Sequence, residues 1–170
     1  MQTLAAKLSS YNLLNYLVPG TVFVVLARLL TRYDLTQEHL LLAFFVYYFV
    51  GMVISRVGSL LVSPAMQKIG LVEPAPYAEY VTAEQADPKL ETLSEQNNTY
   101  RTFCAMALCL VLLKLYEFGT SFWSPPDWLA RWGAVIALVL LYAFSCRKQT
   151  GYIRDRVLEH SRNGANHEQG

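Results

Sequence analysis

The sequence predicts an all-α polytopic membrane protein: four transmembrane helices in two antiparallel hairpins, joined by a helical cytoplasmic loop. Three observations carry this. Hydrophobic residues make up 54% of the chain and charged residues only 16%, against roughly 25% charged in ordinary soluble domains. The apolar residues are gathered into four blocks and not spread with helix or strand periodicity. The basic residues are distributed unevenly between the connections. A net charge of +1 gives no reason to expect direct nucleic-acid binding, which needs a basic surface.

The blocks cover residues 13–30, 40–62, 103–118 and 128–144. A helix needs about 20 residues to cross a bilayer, with about 17 to 25 tolerated. The first two blocks fit well and the fourth is just long enough. The third is short and carries Lys114 and Glu117, so it spans only if those side chains reach the headgroups. A polar stretch holding only Lys7 precedes the first block, and no small-residue cleavage pattern follows it. The first helix is therefore expected to remain as an anchor.

Orientation follows from Lys and Arg in the connections. With the N-terminus inside, ten of the 14 basic residues lie inside: Lys7, Arg56, Lys68, Lys89, Arg101, Arg147, Lys148, Arg154, Arg156 and Arg162. Arg28, Arg32, Lys114 and Arg131 lie outside. The turn at 120–127 has no basic residue; Trp123, Trp128 and Trp132 there resemble an interfacial aromatic belt. Both termini are thus expected in the cytoplasm. The segments are 1–62 (first hairpin), 63–101 (cytoplasmic loop), 102–146 (second hairpin) and 147–170 (tail).

Within the loop, 64–69 reads as a short helical piece near the membrane surface. Pro74 and Pro76 favour an extended link. Residues 77–86 form a short helix with Tyr77, Tyr80 and Val81 on one face. Asp87-Pro88 is a helix start, Asp as cap and Pro at the first position, from which a rod runs into the third block. In the tail, Tyr152, Ile153, Val157 and Leu158 suggest a short amphipathic helix, and 163–170 is polar enough to be disordered.

Polar residues at membrane depth are functional candidates. Arg56, Asn15, Ser59, Asn97, Asn98 and Arg101 form a candidate inner polar cluster, with Asn12 at similar depth; the plainer alternative is Arg56 snorkelling to phosphates. Gly51, Ser55 and Ser59, spaced by four, make a candidate packing seam for another helix. Pro19-Gly20 is a candidate hinge, or a static bend. Arg28, Lys114, Glu117 and Arg131 make a candidate outer vestibule, or a set of interfacial anchors. Cys104, Cys109 and Cys146 have no ligand spacing and read as small core residues. His39, His160 and His167 lack partners at catalytic spacing. No enzyme activity, metal or cofactor is expected.

Asn15-Tyr16-Leu17-Val18-Pro19-Gly20, Ser55-Arg56-Val57-Gly58-Ser59-Leu60, Pro64, Ala75-Pro76-Tyr77, Asp87-Pro88-Lys89 and the run from Leu93 to Arg101 together resemble a group of small four-helix bacterial membrane proteins. Proteins of that group look similar to membrane components of anti-phage defence loci, which implies a soluble cytoplasmic partner. The leading expectation is a homo-oligomeric module in the lipid bilayer that senses or relays a membrane event to that partner. The second is a small ion channel or pore-forming effector.

Overall fold

The computed structural model describes residues 13–167, all helices and connections with no strand among them. A π-helical turn, Leu13–Leu17, leads into α1, Val18–Leu30. α2, Leu40–Val57, passes through a second π turn, Gly58–Val62, into α3, Ser63–Lys68. α4 is Tyr77–Ala86, α5 is Lys89–Phe122 and α6 is Asp127–His167. Three helical stretches are long and apolar enough to cross a membrane: Leu40–Lys68, Lys89–Phe122 and Asp127–Leu158. The apolar stretch Asn15–Leu30 is shorter.

Both π turns have the same origin. Each ends two residues before a proline, Pro19 in one case and Pro64 in the other. Proline has no N–H, and its ring crowds the carbonyl four residues back. Widening the preceding turn relieves the crowding without breaking the rod. Pro19-Gly20 therefore passes through a continuous helix, and both residues are buried. For the same reason 64–69 is not a separate piece lying on a surface: it continues the rod of α2 and α3. The rod stops at Gly70, whose φ of 72° is left-handed. Leu71 N–H donates to the Met66 carbonyl and Gly70 N–H to that of Gln67, the pairing that closes a helix on a glycine.

The core joins three helices. Phe23, Val24 and Ala27 of α1 pack with Ile54 of α2, Val62 of the second π turn, and Ala105 and Met106 of α5. Where the first helix crosses α2, the closest approach is between backbones, beside an edge contact of the Tyr16 and Tyr48 rings. A Cβ on Gly51 would strike the Tyr16 carbonyl; one on Gly20 would strike the Tyr47 carbonyl and lie 2.8 Å from Gly51 N. Each helix thus presents a tyrosine carbonyl to its partner's glycine, with the glycine four residues after its own helix's tyrosine. Backbone contact of this kind is open only to glycine. The first hairpin is accordingly tight.

The second hairpin is not closed. α5 packs on α1, α2 and the second π turn, whereas α6 makes its close contacts with α2, the second π turn and α4. None of the most apolar 18-residue stretch of α6 is buried. The long rods follow the expected course otherwise. Asp87 Oδ1 accepts the Lys89 N–H at 2.9 Å, capping α5. At 1.5 Å per residue α5 is about 50 Å long and α6 about 60 Å. α6 runs without interruption from its apolar half into the tail, so the tail is not a separate amphipathic helix, and 163–167 is helical where the composition suggested disorder. In the loop, 71–76 is extended as its prolines require, and Val81 of α4 is buried. Cys104 and Cys146 are exposed free thiols and not core residues; Cys109 is half-buried.

Candidate functional site

Four consecutive positions on the rod of α2, Arg56 to Ser59, organise the polar end of the bundle. Ser63 N–H reaches back to the Gly58 carbonyl, five residues away. The next donor that the Ser59 carbonyl would use is position 64, and Pro64 has none. A buried carbonyl left unmade costs about 1–3 kcal/mol. Lys148 of α6 supplies the missing donor: its Nζ donates to the Ser59 carbonyl at 2.6 Å and to Ser59 Oγ at 3.0 Å. A proline in one helix is thus answered by a lysine in another, 89 positions away in the chain.

Gly58 brings in α5. A Cβ there would lie 3.3 Å from the Arg101 carbonyl and from Ala105 Cβ, and 3.5 Å from Arg101 Cγ. The stem of Arg101 therefore runs over Gly58. Arg56, two residues earlier on the rod, acts electrostatically on Lys148, as does Arg101. Three cations from three helices meet here, each half-buried. Tyr142 of α6 lies within electrostatic reach of Arg56 and Tyr16. Beside them Asn15, only 4% exposed, accepts at Oδ1 from Thr102 Oγ1 at 3.4 Å, joining the first π turn to α5. Thr102 Oγ1 also donates to the Asn98 carbonyl at 2.8 Å.

Of the residues expected in the inner cluster, Asn15, Arg56, Ser59 and Arg101 stand at this end of the bundle. Asn98 contributes its carbonyl, and Asn97 is exposed. Lys7 and Asn12 lie outside the described residues. Lys148 and Thr102 are the residues that sequence reasoning did not single out. The available signal was Pro64, which orphans a carbonyl five residues upstream and so demands a donor.

The small-residue seam is used inside the chain. Gly51 meets α1 and Ser55 is buried, while Ser59 holds Lys148. It is not an open face for another copy. The expected outer vestibule separates into local pairs. Arg28 Nε lies 3.5 Å from Asp34 Oδ2, and Lys114 Nζ 3.1 Å from Glu117 Oε2. Arg131 instead lines an open cleft of about 1120 Å³ between α5 and α6, with Tyr116, Trp123 and Arg32. Arg32, absent from the expected set, is fixed there by a 2.7 Å hydrogen bond to Thr120 Oγ1. In the turn between α1 and α2, Thr36 donates from both its N–H (2.9 Å) and its hydroxyl (2.6 Å) to Asp34 Oδ1. These hydrogen bonds, helped by Arg28, hold the Asp34 carboxyl below its ordinary value.

No group of three or more His, Cys, Asp or Glu capable of holding a metal occurs among the described residues. The class that fold and site define is an all-α protein of long apolar helices with a cationic junction at one end. Comparison with protein families, with curated proteins and with solved structures gives no match.

Proposed function

We propose that the chain is a four-span, homo-oligomeric membrane module that relays a membrane event to a cytoplasmic partner. Both termini lie on the cytoplasmic side of a bacterial inner membrane in this reading, and α6 is the transmitting element. One observation carries this reading: α6 is a single helix about 60 Å long that exposes its apolar half and is held by α2, the second π turn and α4. A rod anchored over part of its length transmits tilt from one end to the other.

Several further features support it. Rods of about 50 and 60 Å exceed the ~30 Å hydrocarbon core, leaving helical extensions for a partner. With the π turn that leads into it, α1 gives 18 helical residues, the low end of spanning length, and local thinning of the bilayer accommodates a short span. The bare apolar face of α6 suits a second copy. The defence setting implied by the resemblance supplies a natural partner. A pore would have to form between protomers, because α1 and α2 meet backbone to backbone.

The test is purification in mild detergent followed by reconstitution in nanodiscs, with the mass measured in each. A defined homo-oligomer is expected. Introducing Thr150→Pro should break α6 beyond Lys148 and abolish partner engagement while leaving the oligomer intact. A monomer in nanodiscs would overturn the oligomeric reading, and ion flux from proteoliposomes would replace the relay with a pore.

A further inference from the structure

The second hairpin encloses a space that the chain does not fill. On α6, Ala130, Gly133, Ala134 and Ala137 fall on one helix face, and all four line the open cleft of about 1120 Å³ between α5 and α6. Small residues on a helix face let a neighbouring helix come close, as Gly20 and Gly51 do in the first hairpin. Here nothing comes close: a Cβ on Gly133 would meet no atom within 4 Å. The face is instead the floor of a trough, lined on the α5 side by Tyr116 and Thr120. From Asp127 to Ala137 it extends about 15 Å along the axis of α6, the reach of an extended apolar chain.

The end of the trough where α6 begins is charged, through Arg32, Asp127 and Arg131. Arg32 is fixed there: its Nη2 donates to Thr120 Oγ1 at 2.7 Å and to the Tyr33 hydroxyl at 3.2 Å, which leaves its Nε and Nη1 hydrogens for a ligand. Glu117 acts electrostatically on Arg32, but its carboxylate is paired with Lys114 at 3.1 Å. Asp127 and Arg131, one turn apart on α6, form no ion pair with each other, and among the described residues neither side chain has a hydrogen-bond partner. Two guanidiniums and one carboxylate at the mouth of an apolar trough complement a zwitterionic headgroup. A phosphodiester accepts from the guanidiniums, and a primary ammonium donates to the carboxylate.

From this arrangement we infer that the cleft binds an aminophospholipid, with its phosphate on Arg32 and Arg131, its ammonium on Asp127 and one acyl chain along Ala130 to Ala137. The lipid would fill the gap that keeps α5 and α6 apart. The inference rests on the membrane-spanning part of the proposed function and not on the relay.

The experiment places the full chain in phosphatidylcholine liposomes holding a small fraction of phosphatidylethanolamine with brominated acyl chains, which quench tryptophan on contact. Trp128→Phe and Trp132→Phe leave Trp123, which lines the cleft, as reporter. Quenching should exceed that expected from the mole fraction of the brominated lipid. Arg32→Gln and Arg131→Gln should each cut this enrichment about threefold, the scale of a solvent-accessible ion pair. Asp127→Asn should abolish the preference for brominated phosphatidylethanolamine over brominated phosphatidylcholine. Gly133→Leu, whose side chain enters open space, should remove the enrichment without lowering the thermal midpoint. Arg28→Gln, outside the cleft and paired with Asp34, should change nothing. Where the Phe background does not fold, native mass spectrometry of lipid retained by the native protein and by each cleft variant makes the same comparison. Quenching in simple proportion to mole fraction would overturn the inference, as would enrichment that survives Gly133→Leu. Equal enrichment of ethanolamine, choline and glycerol headgroups would overturn the assignment of Asp127. Loss of quenching as the protein-to-lipid ratio rises would give the cleft to a second copy and overturn the inference too. Failure of the proposed function shows separately. No quenching in wholly brominated phosphatidylcholine means that the chain does not insert, and enrichment in a protein monomeric in nanodiscs removes the oligomeric relay alone.

Discussion

α1 and α6 are both apolar and both lie against the rod formed by α2 and α3, yet they are attached in opposite ways. α1 is held by backbone contact at Gly20 and Gly51 and by a dry core around Val24 and Ala27. α6 is held by a polar junction at Lys148 and Ser59 and by limited contacts with α2 and α4, while its most apolar stretch stays open. Packing of the first kind has one solution and tolerates no added atom. Attachment of the second kind can be released without disturbing the core. The first region is scaffold, and the second is where motion costs least.

Gly51→Ala should have the largest effect, because its methyl meets the Tyr16 carbonyl and neither helix backbone can yield locally. Overpacking costs about 1–3 kcal/mol and occasionally more; here the cost should reach the upper end or beyond, seen as loss of the thermal transition in detergent. Retention of the native midpoint would show that the crossing is looser than the glycine contacts require.

Lys148→Gln should act on the other attachment alone. Loss of the charged donor to Ser59 should cost about 1 kcal/mol, the low end for an orphaned carbonyl with some solvent access. Spin labels on α2 and α6 should report a broader distance distribution while the α1–α2 distance stays sharp. Pro64→Ala sharpens the point. It returns an N–H near the Ser59 carbonyl, so Lys148→Gln should be milder in that background. A double-mutant cycle reads the difference as a coupling of about 0.5–1 kcal/mol; strict additivity would mean that Pro64 does not create the need for Lys148.

The smallest effect belongs to the turn between α1 and α2. The folded Asp34 carboxyl titrates below its unfolded value, chiefly through its hydrogen bonds to Thr36. A lowered folded value means that the stabilisation is present above the unfolded pKa, near 3.9, and is lost as pH falls through the folded one. Amide exchange in this turn should therefore speed up below about pH 4, and Thr36→Ala should remove that pH dependence while leaving the α1–α2 crossing protected.

Much of this fold is legible in the residues taken one segment at a time. Asp87-Pro88 announces the start of α5 because capping and a fixed φ are local properties. The extended link at Pro74 and Pro76 follows from the same kind of rule, and the long apolar blocks give the helices. Pro19 and Pro64 were visible as perturbations, but a helix can answer a missing N–H by kinking, breaking or widening, and only packing on both sides selects the π turn. Gly51 reads in sequence as a generic small-residue seam; which helix occupies it is decided by the matching glycine on α1.

The candidate site was legible to the same depth. Arg56 and Arg101 stand out as charges beside apolar blocks, since burying a charge has a cost that composition exposes. Lys148 does not, because a basic residue at the end of an apolar block is what orientation alone would place there. Its role depends on the Ser59 carbonyl, orphaned by Pro64 on a helix far away in the chain. The sequence by itself determined the helices and their apolar character, because these depend on side-chain chemistry and local backbone rules. Only the tertiary structure decided that α1 is locked, that α6 is latched, and that the three cations share one place, because those outcomes depend on which surfaces exclude each other when the helices meet.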